Sequence, residues 1–415
     1  MTSTSPQTNS LVQSILQLCG VVQRAVLEYG ESPVHEQQEV WNDLTGEESS
    51  RWAVNNSKGA VNMYGTNDPY EPVDLVVTSL CDFDEELEAI PVRQKKALVR
   101  VLDRTPSYAQ DPLFRLKFLR AEKFDAKLAA LRFVRHFEEK LQLFQKNDER
   151  ATDEIMGREI TLDDLNEDDF ETLEGGYLQV LTQPDCGNRK VLFYYRACSD
   201  CYKDRENLLR SFWYVANKLS QEEEVQKRGI ANVVYNVGGF PEHGMDYEKS
   251  RRIALLFRAI PVRMTTFFPC VDDVAWVTVV ETFSVLISRF LRIRLRVITG
   301  NHEEVMAKLQ AVGIPSRAMP VTASSALLLD DHLDWLENLL VQEIEGKREE
   351  MDQEIEGRKE DQDQEMSDDK DIEDNDPPEL TVESMDPEPR KWTLYGANTL
   401  QDLVHSTSSH YSAVG

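Results

Sequence analysis

The sequence offers no uninterrupted apolar run of the roughly 20 residues that a membrane-spanning helix needs. Its nearest approach, Val274 to Leu291, is broken by Glu281 and Arg289. No basic region precedes the apolar stretch "LVQSILQLCGVVQRAVLEYG", which Gln13, Gln17, Gln23 and Arg24 interrupt, so it reads as an amphipathic helix rather than a targeting segment. Cysteine is sparse: six in 415 residues, scattered at 19, 81, 186, 198, 201 and 270. That usage fits a reducing compartment, and a cytoplasmic protein is expected. The one close pair, "CSDC" with Cys198 and Cys201, lacks the second pair that a four-ligand zinc site requires. No G-x-S-x-G elbow is present, and His136, His243 and His302 are isolated. "GGFPEHG" matches neither a dinucleotide fingerprint nor a phosphate loop and reads as a turn. Catalysis, a metal site and a cofactor therefore have no anchor, and the chain reads as a non-enzyme.

What is abundant is acid, and it is unevenly spread. The formal net charge is −28, and residues 341–388 hold 21 Asp and Glu against 5 Lys and Arg. Between Arg93 and Lys140 the sign reverses, with 13 Lys and Arg against 6 Asp and Glu. A basic patch on an acidic chain argues against bulk nucleic-acid binding and leaves room for a local anionic partner such as a lipid headgroup.

Periodicity divides the chain. Residues 1–83 hold one helical pattern and an irregular extension including "YGTNDPYEP". Residues 84–150 turn helical, with Asp111 placed to cap, Pro112 suited to a first helical position, and Leu116, Leu119, Phe124, Leu128, Leu131 and Phe137 forming an apolar side. Across 170–326, "GYLQVL", "KVLFYYRA", "IANVVYNV", "RMTTFFPC" and "IRLRVIT" read as strands, most of them separated by helical segments. Only the first two are close enough for a hairpin, turned by "PDCGN". The expected fold class is α/β: a helical N-terminal lobe followed by a mixed, mostly parallel five-stranded sheet flanked by helices. A further helix is expected over 327–345. Residues 346–390 begin with two near-copies of an eleven-residue unit, "QEIEGKREEMD" and "QEIEGRKEDQD", and are too polar for a core, so a partly helical start passing into disorder is expected. The segment 391–415 regains aromatics.

Two segments carry two readings each. In "FLRIRLRVITGN", Arg292, Arg294 and Arg296 alternate with Ile293, Leu295 and Val297, giving a strand one cationic and one apolar face. That is either a solvated sheet face or a row that reaches an anionic ligand. In "AWVTVVETFSVLISRFL", Trp276, Val280, Phe283 and Ile287 form one apolar stripe and Val279, Leu286 and Phe290 another. Such a helix is either simply buried or a lid over an apolar cavity.

At "LFRLKFLRAEKFDAKLA", followed by this order of strands and helices, the sequence resembles the CRAL-TRIO lipid-binding family, which includes phosphatidylinositol/phosphatidylcholine transfer proteins, alpha-tocopherol transfer protein and cellular retinaldehyde-binding protein. Leu113, Arg115, Phe118, Leu119, Arg120, Ala121, Lys123, Phe124 and Asp125 match a pattern of the family's helical lobe. "NLLRSFWYVANKL", "NVVYNVGGF" and "IPSRAMPV" then fall in the family's order, so the resemblance covers roughly residues 85–325. It departs from the pattern where phosphatidylinositol binders carry hydroxyl residues, since Gly238, Gly239 and Phe240 stand there, and where "MPV" continues into "TASSA" instead of a glycine pair.

The resemblance implies a lipid cavity in the sheet lobe, with no cofactor other than the bound lipid or hydrophobic molecule. It implies a gate helix bearing Trp276, Val280, Phe283 and Ile287, a headgroup contact at Arg292 or Arg294, and a lining drawn from Phe193, Tyr195, Tyr235, Val237, Phe267, Ile293 and Leu295. Arg115, Arg120 and Lys123 would face a membrane surface, unless they are ordinary helix-surface pairs. The function implied is exchange of one phospholipid or other hydrophobic ligand at membranes. The alternative is a lipid sensor or scaffold that recruits a protein partner through its acidic tail.

Overall fold

The computed structural model describes residues 71–195, 204–238, 247–272 and 294–368, with the single positions 277 and 280. The chain divides into two compact units, 1–348 and 349–415. Among the described residues, the first holds a mixed α/β fold of helices and a five-stranded mixed sheet, and the second holds the outer part of one long helix.

The helical lobe comprises α1 (Val73–Ala89), α2 (Lys96–Arg104), α3 (Pro106–Gln110), α4 (Pro112–Ala121), α5 (Ala126–Phe144) and α6 (Glu149–Met156). Helix α1 starts eleven residues before the expected change of pattern, because Phe83 and Leu87 on it drive into the lobe's core. Asp111 caps α4 as expected, accepting from Leu113 N at 3.0 Å and Phe114 N at 3.2 Å. The single apolar pattern over 111–144 is in fact two helices. Lys123 (φ 52°) and Phe124 (φ 62°) take the left-handed conformation, Phe124 N donates back to Leu119 O at 2.7 Å, and Asp125 caps α5 through Leu128 N. The "LRAEKFD" motif is thus a tight helix–turn–helix whose buried Phe124 joins edge-packed rings, such as Phe118 and Phe133 at 4.9 Å, in one core.

The sheet lobe adds α7 (Glu167–Glu174), β1 (Leu178–Val180), β2 (Lys190–Tyr195), α8 (Arg205–Leu219), α9 (Glu223–Arg228), β3 (Ile230–Asn236), α10 (Tyr247–Phe257), β4 (Met264–Val271), β5 (Ile298–Thr299) and α11 (His302–Ala311). The strand order is β1-β2-β3-β4-β5, antiparallel only at β1–β2, where the expected hairpin turns through Asp185, whose carboxylate accepts from Gly187 N and Arg189 N. Gly229, with φ 76°, links α9 to β3; a Cβ there would come 2.5 Å from Arg263 O.

Register decides which residues share a face. Phe193 pairs with Val233 and Tyr195 with Tyr235, and their side chains meet Phe268, Cys270 and α11 on what we term the first face. On the second face Leu192, Tyr194, Val234, Phe267 and Leu295 meet α8 and α10. One residue of β4 is skipped between the pairs Ile230–Met264 and Ala231–Thr266, so Met264 and Phe267 end on the same side despite their odd spacing.

The helical lobe is fastened to the sheet lobe by buried polar contacts. Arg132 Nη1 donates to Phe257 O and Ile260 O, both at 2.9 Å, where α10 ends, and its Nε meets Glu122 at 2.5 Å. His136 hydrogen-bonds Ala259 O at 3.3 Å and packs 4.9 Å from the Trp213 ring. Burial, with nearby Lys140 adding to it, lowers its pKa well below the usual histidine range, so the ring is neutral and the contact to Ala259 O is an N–H donation.

Helix α12 (Asp330–Asp368) extends well past the expected end at 345. Its first turns dock on the sheet lobe through His332, bonded to Leu173 O, and Glu343, which accepts from Tyr214 Oη at 2.9 Å and Leu162 N at 2.9 Å and pairs with Lys218 at 2.6 Å. No helix among the described residues is long and apolar enough to cross a membrane.

Candidate functional site

The expected lining residues divide between the two faces. Phe193, Tyr195, Tyr235 and Val237 lie on the first face under α11 and the segment 314–327, and all four are buried. The rings of Phe193, Tyr195 and Tyr235 pack with centroids 6.0–6.4 Å apart, the Tyr195 hydroxyl donates to Ser325 O at 2.5 Å, and the Tyr235 hydroxyl shares a 2.8 Å hydrogen bond with His302 Nδ1. Burial raises the pKa of Tyr235, and it also raises that of the Cys270 thiol beside it. These side chains form a filled core layer. Phe267 and Leu295 lie on the second face, so one cavity cannot be lined by both sets. The odd numbering that seemed to unite them fails because Phe267 pairs with Asn232, not with Val233.

On the second face a residue of the central strand keeps accessible surface. In β3, the central strand, six of seven residues are buried, and the exception is Val234. Val234 keeps accessible surface although β2 and β4 flank it, and Leu295 and Ile253 of α10 are likewise only partly buried against the same core. Alternation alone could have found Val234, as the neighbour of Tyr235 that faces the other way. Two asparagines share this face. Asn232 is satisfied: it accepts from Tyr194 Oη at 3.1 Å and donates to Thr266 O at 3.1 Å. Asn236 is buried at the carboxyl end of the strand, opposite Val271.

The arginine row does not form the expected strand. Leu295 makes an isolated parallel bridge to Phe267, Arg296 N donates to Phe267 O at 2.8 Å, and a regular ladder begins only at Ile298. Arg294 still has helical backbone and is 7% exposed, whereas Arg296 is exposed, so the two do not share a cationic face. Of the gate residues, Val280 is buried; Trp276, Phe283 and Ile287 lie outside the described residues, as do Arg292 and Ile293.

The three basic residues of the helical lobe sit in or beside a structural network. Arg115 pairs with Asp84 at 2.6 Å and donates to Ala109 O at 2.8 Å. Arg120 is forked onto Glu71, with Nε–Oε2 at 2.9 Å and Nη2–Oε2 at 2.6 Å, and reaches Gln226 at 2.5 Å and Glu223 at 3.0 Å across to α9. Lys123 occupies the left-handed turn. Arg115 thus pairs with an exposed carboxylate and Arg120 with the buried Glu71, the ordinary ion pairing that was the other reading of these residues, and Arg120 ties the two lobes together.

No family model matches this sequence, and no curated protein matches it. Among solved structures, the crystal structure of Sfh5 aligns over 66% of this chain and 99% of its own at 11% identity, with a TM-score of 0.37, a likeness too slight to argue from.

Proposed function

We propose that the chain holds one hydrophobic ligand or phospholipid against the second face of its sheet and exchanges it at membrane surfaces from a cytoplasmic location. The observation that carries this reading is the accessible surface of Val234 at the centre of the sheet, with Leu295 and Ile253 partly bare beside it. Apolar surface in the middle of a fold is normally covered, and a greasy molecule is what covers it at least cost. The sequence motifs shared with the CRAL-TRIO family support the same reading. In it, the segment from Trp276 to Phe290 is the gate, and Arg292 or Arg294 meets the headgroup of an anionic ligand.

Magnitudes set the mechanism. Moving a lipid of about 30 methylenes into water costs ~24 kcal/mol, and no headgroup contact offsets that. Transfer is therefore near neutral only if the cavity matches the membrane and opens against it, apolar gate first. Mass spectrometry of organic extracts from the purified chain tests the reading: wild type yields one class of lipid in near-equal molar amount, and Val234→Trp, which fills the space, yields none while melting normally. An empty wild-type protein refutes it and favours the scaffold reading, in which the acidic extension of α12 recruits a protein partner.

A further inference from the structure

The second face carries one polar atom with nothing to do. Asn236 is 2% exposed, and its Nδ2 donates to Val234 O at 3.2 Å, which fixes the orientation of the carboxamide. The other end, Oδ1, is buried and has no hydrogen-bond partner. Asn232, two periods earlier on the same side of β3, is fully engaged. A buried amide oxygen without a donor is a standing cost, and the residues beside Asn236 on this face are Val234 on its own strand and Val271 opposite it.

We infer that Asn236 Oδ1 is the hydrogen-bond acceptor for a hydroxyl group on the bound ligand, and that the site prefers hydrophobic molecules that carry an O–H where they meet this oxygen. The inference rests on the proposed ligand-binding reading and narrows its chemistry. An amide oxygen accepts only, so an ether, ester, aldehyde or phosphodiester oxygen gains nothing from it. An ammonium would donate, but burying that charge among apolar side chains costs more than one hydrogen bond returns. A hydroxyl satisfies the oxygen with neither penalty.

The test uses the full chain and two fluorescent probes, a pyrene-labelled dodecanol and its methyl ether. The structure requires wild type to bind the alcohol roughly five- to tenfold more tightly than the ether, the difference one neutral hydrogen bond makes. Asn236→Leu should bind the ether at least as well as wild type and lose the preference. Should Asn236→Leu not fold, Asn236→Ala serves, and the alcohol-to-ether ratio of wild type needs no variant. Equal binding of both probes to wild type, or a preference that survives in the variants, overturns the role of Asn236 and leaves ligand binding standing. Failure of both probes to bind overturns the carrier reading and this inference together.

Discussion

Lys140 is a lysine buried in the helical lobe, 1% exposed, with its ammonium against Met156 O at 3.5 Å, Arg158 O, and the ring of Tyr108 at 4.9 Å. Burial lowers its pKa to about 7; Glu159 and Asp164 resist the shift and Arg158 adds to it. The unfolded chain holds that proton up to about pH 10.4. Between pH 7 and that value the unfolded state therefore binds one more proton than the folded state, so stability rises with pH. The slope is about 1.4 kcal/mol per pH unit, or ~2.7 kcal/mol from pH 7 to pH 9. Below pH 7 the cost of the buried charge is fully present. Lys140→Met removes the titration and should flatten this slope, whatever it does to absolute stability by leaving two carbonyls without a donor. Urea unfolding followed by tryptophan fluorescence at pH 7, 8 and 9 measures it. The wild-type midpoint should climb by on the order of 1 M relative to the variant, at a denaturant slope near 3 kcal/mol/M. Parallel pH dependences in the two proteins would refute the reasoning, because they would mean that Lys140 keeps its proton throughout.

Two further outcomes follow from the junction and the turn. Arg120→Met strips the counter-charge from Glu71, whose side chain is 6% exposed, and should cost about 3–5 kcal/mol in chemical denaturation; adding Glu71→Gln should recover part of the loss. Lys123→Gly should stabilise by up to about 1 kcal/mol, since φ 52° suits glycine, while Lys123→Val at the same position should lower the melting temperature.

Element order was legible because it rests on local signals: the 2.0 and 3.6 periods, Asp111 before Pro112, and the "PDCGN" hairpin. What failed to show was anything set by pairing between distant segments. The skipped residue in β4 changes the parity of Phe267, which moved it away from Phe193, Tyr195 and Tyr235. Arg294 looked like a strand residue by alternation, yet its backbone is helical. An aromatic residue at φ 62° runs against intrinsic preference, so the break at Phe124 was invisible to a propensity reading. The partners of Arg115 and Arg120 did not show because Asp84 lies 31 residues from one and Glu71 49 from the other. The proposed ligand face was half legible: Phe267 and Leu295 were named from the pattern, Val234 was within reach of simple alternation, and only the register placed Asn236 opposite Val271.

The clasp at Glu343 bears on how the protein can be shortened. A fragment ending at residue 326, the expected end of the sheet lobe, would deprive Lys218 of its carboxylate and the Tyr214 hydroxyl and Leu162 amide of their acceptor in one cut. The autonomous folding piece must accordingly run past Lys347, whose ammonium meets Asp163. The opening of α12 belongs to the body of the protein rather than to its tail.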